Sequence, residues 1–310
     1  MEAKISIIIP VYNREKTINK TLNSVLQQTF VDYEVIIIDD GSTDTTLKII
    51  EEICSKDSRF SYLHQRNSGV ATARNRGLSV SKGKYITFLD SDDFYENTFL
   101  MKMFNEINKN DDDICYCGSY RVTPKQKKKK KTKFLLNNLL QKYLLDTVFI
   151  CTNAWMIKKD FLKKNGIVFL EGVSWGEDIE FFCEVLAATN KVSCVEEYLI
   201  NYTAEFDNNN LSSYSTEKID QDFKSIQRIL KKKGMDRKDL KTALLNYRLS
   251  ALITYRLCMA IENGTSENEM LEYYENYKKY IWVFSFNNGW RSLKLNYYKI
   301  KLFIKIKKLK

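Results

Sequence analysis

The sequence predicts an α/β fold, an open and mostly parallel sheet flanked by helices over residues 1–210, followed by a helical region over 211–310. Three observations carry that expectation. Runs such as "ISIIIPVY" and "YEVIIID" are continuously apolar, the composition of parallel strands buried on both faces. Each run leads into a polar turn and then into apolar residues at helical spacing. The strand–helix alternation repeats along the first third of the chain, the pattern of strand–helix–strand units that build a parallel sheet.

In order, "ISIIIPVY" predicts the first strand, and "REKTINKTLNSVLQQ" a helix with Ile18, Leu22, Val25 and Leu26 on one face. "YEVIIIDDGS" predicts the second strand and "TDTTLKIIEEIC" a helix opened by a Thr or Asp cap. "FSYLHQ" is a short strand, and "GVATARNRGLSVS" a helix ending near Gly83. "YITFLDSDDF" ends the fourth strand, before a helix carrying Leu100, Met103, Phe104 and Ile107. Beyond it, "DICYCGSYRV" alternates like a strand, and the lysines of 125–133 predict a solvated, mobile loop. "FLLNNLLQKYLL" is helical, "NAWMIKKDFLKKNGIVF" a short strand and helix ending at Gly166, and "VSWGEDIEFFCEVLAA" a polar turn opening a helix. A boundary falls between 205 and 216, and the pattern is helical from about Thr216 onward.

The net charge of +10 is unevenly placed. Lysines cluster in 125–133, and the stretch from Arg291 to Lys310 carries cations and no acid, which leaves the body mildly acidic. That distribution argues against a nucleic-acid-binding surface. Seven scattered cysteines and one histidine argue against a zinc site and for a reducing, cytoplasmic compartment. The N-terminal apolar run, closed by Pro10, is too short for a signal peptide, and no stretch is long and apolar enough to span a membrane.

In an open α/β sheet, ligands bind outside the carboxyl ends of the strands, where the polar clusters of this chain fall. "PVYN" places Tyr12 there, "DDGS" places Asp40, "NSGVATARN" supplies Asn67 and Arg74, and "FLDSDD" crowds Asp90, Ser91, Asp92 and Asp93 at one strand tip. Two carboxylates about 5 Å apart repel by about 3 kcal/mol at an effective dielectric near 20. A divalent cation reverses the sign, because hard carboxylate oxygens are its natural ligands and the same ion can clamp a diphosphate. Individually each cluster has a simpler explanation: Tyr12 as packing, "DDGSTD" as a turn and cap, Arg74 as a surface cation, Asp93 as a helix cap, His64 as an ordinary strand residue. Their joint register at successive strand ends does not.

The ordered set "SIIIPVYN…VIIIDDGSTD…NSGVATARNRGL…YITFLDSDD…WGEDIEF" resembles the inverting glycosyltransferases of family 2, which have the GT-A fold; the likeness covers roughly residues 4–200. The resemblance implies a UDP-sugar donor and Mn²⁺ or Mg²⁺. "DSD" matches the DxD motif, with Asp92 as metal ligand and Asp90 and Ser91 beside the ribose and diphosphate. Asp40 matches the uracil-contacting aspartate, Pro10 and Tyr12 line the base pocket, and Asn67 and Arg74 lie beside the diphosphate and donor sugar. In "GED", Asp178 matches the catalytic base, with Glu177 the alternative, and Trp175 could stack on an acceptor sugar. The chain departs from the pattern at "EYLINYTAEF", where Thr203 stands in place of an arginine.

The implied acceptor is a hydroxyl of a bacterial surface glycan (capsule, lipopolysaccharide or teichoic acid) or of a lipid-linked intermediate. The basic stretch "GWRSLKLNYYKIKLFIKIKKLK" suits an anionic membrane surface, as helix or as strand, and would make the protein peripheral on the inner face of the plasma membrane. Two other classes share parts of this pattern. A nucleotidyltransferase making nucleotide sugars would show a Gly-rich basic loop where this chain has "PVYNREKT", and a non-catalytic UDP-binding scaffold would not need the "GED" acid.

Overall fold

A computed structural model describes residues 3–173, 175–204, 215–284 and 288–309. The chain forms two compact units, one of residues 1–137 and 148–205, the other of 138–147 and 206–310. The boundary expected between 205 and 216 lies almost wholly outside the described residues.

The first unit is built on one sheet. Its strands are β1 (Ile5–Val11), β2 (Tyr33–Asp39), β3 (Phe60–His64), β4 (Tyr85–Phe88), β5 (Phe94–Tyr95), β6 (Ile114–Thr123), β7 (Gln126–Lys129), β8 (Trp155–Lys158) and β9 (Val192–Thr203). They stand in the order β3-β2-β1-β4-β8-β6-β9-β5, with β7 paired to β6. The half from β3 to β4 is parallel throughout, as the apolar runs predict: every residue of β1 is buried. The other half is mixed. β8 runs antiparallel to both β4 and β6, β6 and β9 are parallel, and β5 closes antiparallel on β9.

Helices α1 (Ile18–Leu26), α2 (Thr46–Lys56), α3 (Val70–Val80), α4 (Phe99–Lys109), α6 (Lys159–Asn165) and α7 (Glu177–Ala188) belong to this unit, while α5 (Leu139–Leu144) belongs to the other. Gly77 lets α3 lie directly on β1, since a Cβ there would fall 2.4 Å from Ile8 Cγ2. Beneath α3 the rings of Phe169 and Phe181 stack at 4.0 Å, and Phe88 meets Phe169 edge-on at 5.1 Å.

The lysine run is exposed but is not all loop. Residues 126–129 pair with Tyr120–Thr123 as an antiparallel hairpin. Lys127 reaches Glu96 and lies 4.3 Å over the Tyr120 ring, and Lys129 lies over Tyr198 at 4.9 Å. Aromatic faces and an acid across the strands therefore order a segment that composition alone marks as coil. The helix expected from Phe134 is confined to α5. β5 and β9 are strands beyond those expected from the sequence.

The second unit is helical. α8 (Lys218–Leu230) is followed by α9 (Lys238–Thr242), a wider π-helical segment (Ala243–Leu249), α10 (Ser250–Glu262), α11 (Glu267–Ile281) and α12 (Gly289–Leu309). Asp222 and Arg256 form a buried ion pair between α8 and α10, and Ser266 caps α11 by accepting the Glu269 N–H. The basic stretch, open between helix and strand in the sequence, is the helix α12.

Candidate active site

The parallel strands bring their carboxyl ends to one edge. Val11 pairs with Asp39 and Asp39 with His64, so β1, β2 and β3 end level. β4 stops opposite Ile8, and the Leu89 N–H donates to the Ile8 carbonyl, so the Asp90–Asp93 turn leaves the sheet at this same edge.

At the end of the first strand, Pro10 is buried inside β1 opposite Ile38, and Tyr12 beyond it is 45% exposed. Asn13 ties the first loop to the second by accepting the Thr43 N–H, while its own N–H donates to Ser42 Oγ. Asp40 is buried, and its carboxylate accepts the Ser68 and Gly69 N–H groups at 2.8 Å each and the Gln65 side-chain amide at 2.7 Å. It thus holds the turn that carries the exposed Asn67. Gly41 completes the contact: its φ is +82°, and a Cβ would fall 2.9 Å from the Asn67 nitrogen. His64, expected to have no role, sets its Nδ1 2.6 Å from the buried Asp39 carboxylate.

Arg74 is the hinge of the site. It is only 4% exposed and lies 5.1 Å over the Phe169 ring. Its Nη2 donates to Asp90 at 2.8 Å and its Nη1 to Glu177 at 3.3 Å. Burial disfavours its charge, but Asp90 and Glu177 more than offset that and hold it protonated beyond its ordinary range. Its Nε is buried with no hydrogen-bond partner among the described residues. The next residue, Asn75, exchanges two 2.9 Å hydrogen bonds with the Phe169 backbone, fixing the segment that leads to α7.

Glu177 and Asp178 open α7 and diverge, as adjacent helical residues about 100° apart must. Glu177 is buried against Arg74; burial and the neighbouring Asp178 raise its pKa against the pull of Arg74. Asp178 is partly exposed, with Thr152 Oγ1 3.4 Å from its Oδ2. Trp175 is also partly exposed.

Within "DSDD", Ser91 is buried and its carbonyl accepts from Thr17. Asp92 is about one-third exposed, with Arg14 Nη2 3.8 Å from its Oδ2. Asp93 does not cap a helix, because the chain continues into β5 and α4 begins only at Phe99. It is buried instead, accepting from Asn153 Nδ2 and from the Thr203 N–H, and burial followed by Asp90 and Asp92 pushes its pKa well up. No cluster of three or more His, Cys, Asp or Glu side chains arranged to hold a metal is present among the described residues. A cation held by one carboxylate and by substrate phosphates needs no such cluster, and the partly exposed Asp92 beside Asp90 fits that smaller donor set.

Residues 6–166 match the sequence profile described as glycosyl transferase family 2. The chain belongs to glycosyl transferase family 2. Among relatives of this family, it is 32% identical to the poly(ribitol-phosphate) β-N-acetylglucosaminyltransferase TarP of Staphylococcus aureus, over 74% of this chain and 71% of TarP. It is 28% identical to the uncharacterized glycosyltransferase EpsJ of Bacillus subtilis over 64% of this chain, and the match spans 60% of the length of EpsJ. The fold is that of TarS from S. aureus in complex with UDP-GlcNAc, with a TM-score of 0.71 and 22% identity, covering 99% of this chain and 90% of TarS 1–349. The GT-A fold expected from the motifs is therefore the one observed.

Several residues of this family 2 chain join the site without a motif to announce them. Asn153 accepts the Asp90 N–H on its Oδ1 at 3.0 Å while its amide meets Asp93, and Thr152 beside it faces Asp178. An isolated polar pair inside "VFICTNAWMI" is the one sequence signal for them. Tyr202 and Thr203 arrive from the end of β9. The Tyr202 hydroxyl is pushed up to about 12 by burial and then by Asp93, Asp92 and Asp90, and Thr203 Oγ1 is buried with no hydrogen-bond partner among the described residues.

Proposed function

We propose that this chain is an inverting glycosyltransferase that moves a sugar from a UDP-sugar to a hydroxyl of a bacterial surface glycan or lipid-linked acceptor, with Mn²⁺ or Mg²⁺, at the inner face of an anionic membrane. One observation carries most of the weight. Arg74 joins Asp90, at the end of β4, to Glu177, at the start of α7, so the Asp90–Asp93 turn and Asp178 share one edge of the sheet. The UDP-GlcNAc bound by TarS, which has this fold, and the sugar transfer in the name of TarP support the donor class.

In this mechanism Tyr12 and Pro10 border the base, and Asp40 holds the turn bearing Asn67 close to it. Arg74 and Asp90 orient the diphosphate side, where the Arg74 Nε, without a hydrogen-bond partner among the described residues, is a donor still to be used. Asp92 would hold the divalent cation, whose charge neutralises the diphosphate as it leaves. Asp178 accepts the proton of the acceptor hydroxyl while the hydroxyl oxygen bonds to the anomeric carbon and the bond to UDP breaks on the opposite face, which inverts the configuration.

The test is a panel of UDP-sugars, UDP-GlcNAc first, with and without Mn²⁺, read by UDP release and by thermal stabilisation. One donor should give metal-dependent UDP release. Formation of a UDP-sugar from UTP and a sugar 1-phosphate would instead make the chain a nucleotidyltransferase, and UDP binding without turnover would make it a scaffold.

A further inference from the structure

The helix α12 has a buried face and an exposed one, and both carry apolar residues. At about 100° per residue, Ser292, Leu295, Asn296, Lys299, Leu302 and Ile306 share one arc, and all six are buried. Leu295 packs against Tyr247 and Ala251 of the helical unit, and Tyr298 meets Tyr255 edge-on at 5.1 Å. This arc explains the apolar residues that hold the helix in place.

The other arc has no such partner. Trp290, Leu293, Tyr297, Ile300 and Ile304 follow at spacings of three and four, and each is at least half exposed, Trp290 to 78%. Such spacing makes a continuous stripe about 20 Å long. Isolated exposed apolar residues need no explanation, but an aligned row of five large ones does. Along one flank of the stripe run Lys294, Lys301, Lys305 and Lys308, and the helix contains no Asp or Glu. Lys301 is engaged by Glu262 at 3.3 Å.

We propose that this exposed stripe of α12 docks flat on an anionic lipid bilayer, its apolar side chains entering the acyl boundary and Lys294, Lys305 and Lys308 meeting lipid phosphates. The inference deepens the membrane-surface part of the function proposed above and rests on it only for its biological use. Charge complementarity selects the partner. A second copy packed stripe to stripe would offer the lysines no carboxylate from either helix, whereas an anionic bilayer supplies hydrocarbon and phosphate at adjacent depths. Trp290 and Tyr297 suit that boundary, since their rings are apolar and their edges polar. Among the described residues no helix is long and apolar enough to cross a membrane, so the stripe would lie on the surface and not span it.

The experiment is co-sedimentation of the full chain with phosphatidylcholine vesicles, alone or mixed with phosphatidylglycerol, at low and high salt. Binding should require phosphatidylglycerol and weaken with salt. The double variant Ile300→Asp, Ile304→Asp should lose binding by about tenfold or more, and Lys294→Glu with Lys305→Glu should lose the preference for phosphatidylglycerol. Both variants should keep the far-ultraviolet circular dichroism and melting temperature of the wild type, because none of the four side chains is buried. Wild-type indifference to phosphatidylglycerol, or full binding by the aspartate variant, would overturn the proposal. So would a wild-type oligomer that the aspartate variant dissolves and that binds no vesicles, which would assign the stripe to a second copy. Vesicle binding without turnover of any UDP-sugar would leave the docking standing and remove the transferase; turnover without vesicle binding would do the reverse.

Discussion

Asn153 bridges two acids of the same turn: its Oδ1 accepts the Asp90 N–H at 3.0 Å and its Nδ2 donates to the buried Asp93 carboxylate. Among the described residues, the Asp93 carboxylate would otherwise keep only the Thr203 N–H. Asn153→Ala is therefore expected to lower unfolding free energy by about 2 kcal/mol, the range for leaving a buried polar group short of a hydrogen-bond partner. Asn153→Asp should be worse, since it sets another carboxylate against Asp93. Urea denaturation of the variants checks both.

Arg74 is expected to be the most sensitive position for stability. Arg74→Ala removes the cation between Asp90 and Glu177 and leaves Glu177 buried and unpaired, a loss of about 3–5 kcal/mol. Arg74→Lys keeps the charge but cannot reach two carboxylates as a fork, so it should fold and still lose donor affinity. Denaturant unfolding and UDP titration separate the two effects.

Asp92→Asn should lower sugar transfer by about tenfold or more and raise the Mn²⁺ concentration needed for half-maximal rate, while thermal stability without metal stays near that of wild type. Metal titration of the initial rate is the check. An unchanged metal response would remove Asp92 as the ligand.

Lys299 of α12 is fully buried, donating to the Val283 carbonyl at 2.7 Å, and burial lowers its pKa to about 8. The folded value lies below that of the unfolded chain. At pH 7 both states are charged and only the folded state buries the charge; above about pH 10.5 both are neutral and the penalty is gone. Lys299→Met should accordingly be more stable than wild type by up to about 3 kcal/mol at pH 7, and the gap should close between pH 8 and 10.5. Melting curves of the pair across that range test the sign.

The parallel half of the sheet was legible because burial on both faces leaves unbroken apolar runs, and Asp40 and Asp90 were legible because they stand where those runs stop. What the residues could not disclose is long-range pairing. Nothing local to Lys127 shows that Glu96 and Tyr120 will receive it, so the lysine run read as coil and not as β7. Asp93 looked like a cap because its partners, Asn153 and Thr203, lie 60 and 110 residues away. The tail was ambiguous for a related reason. Its two apolar faces have separate environments, so Leu302 and Ile306 appear misplaced until the buried arc is known.

The central claim is that Asp178, set apart from its buried neighbour Glu177, takes the acceptor proton. The direct measurement is the transfer rate of Asp178→Asn with a competent UDP-sugar and acceptor, alongside donor hydrolysis and UDP affinity. Transfer should fall by about 10³-fold while UDP affinity is retained. Full transfer by Asp178→Asn, with donor hydrolysis unchanged, would contradict the assignment.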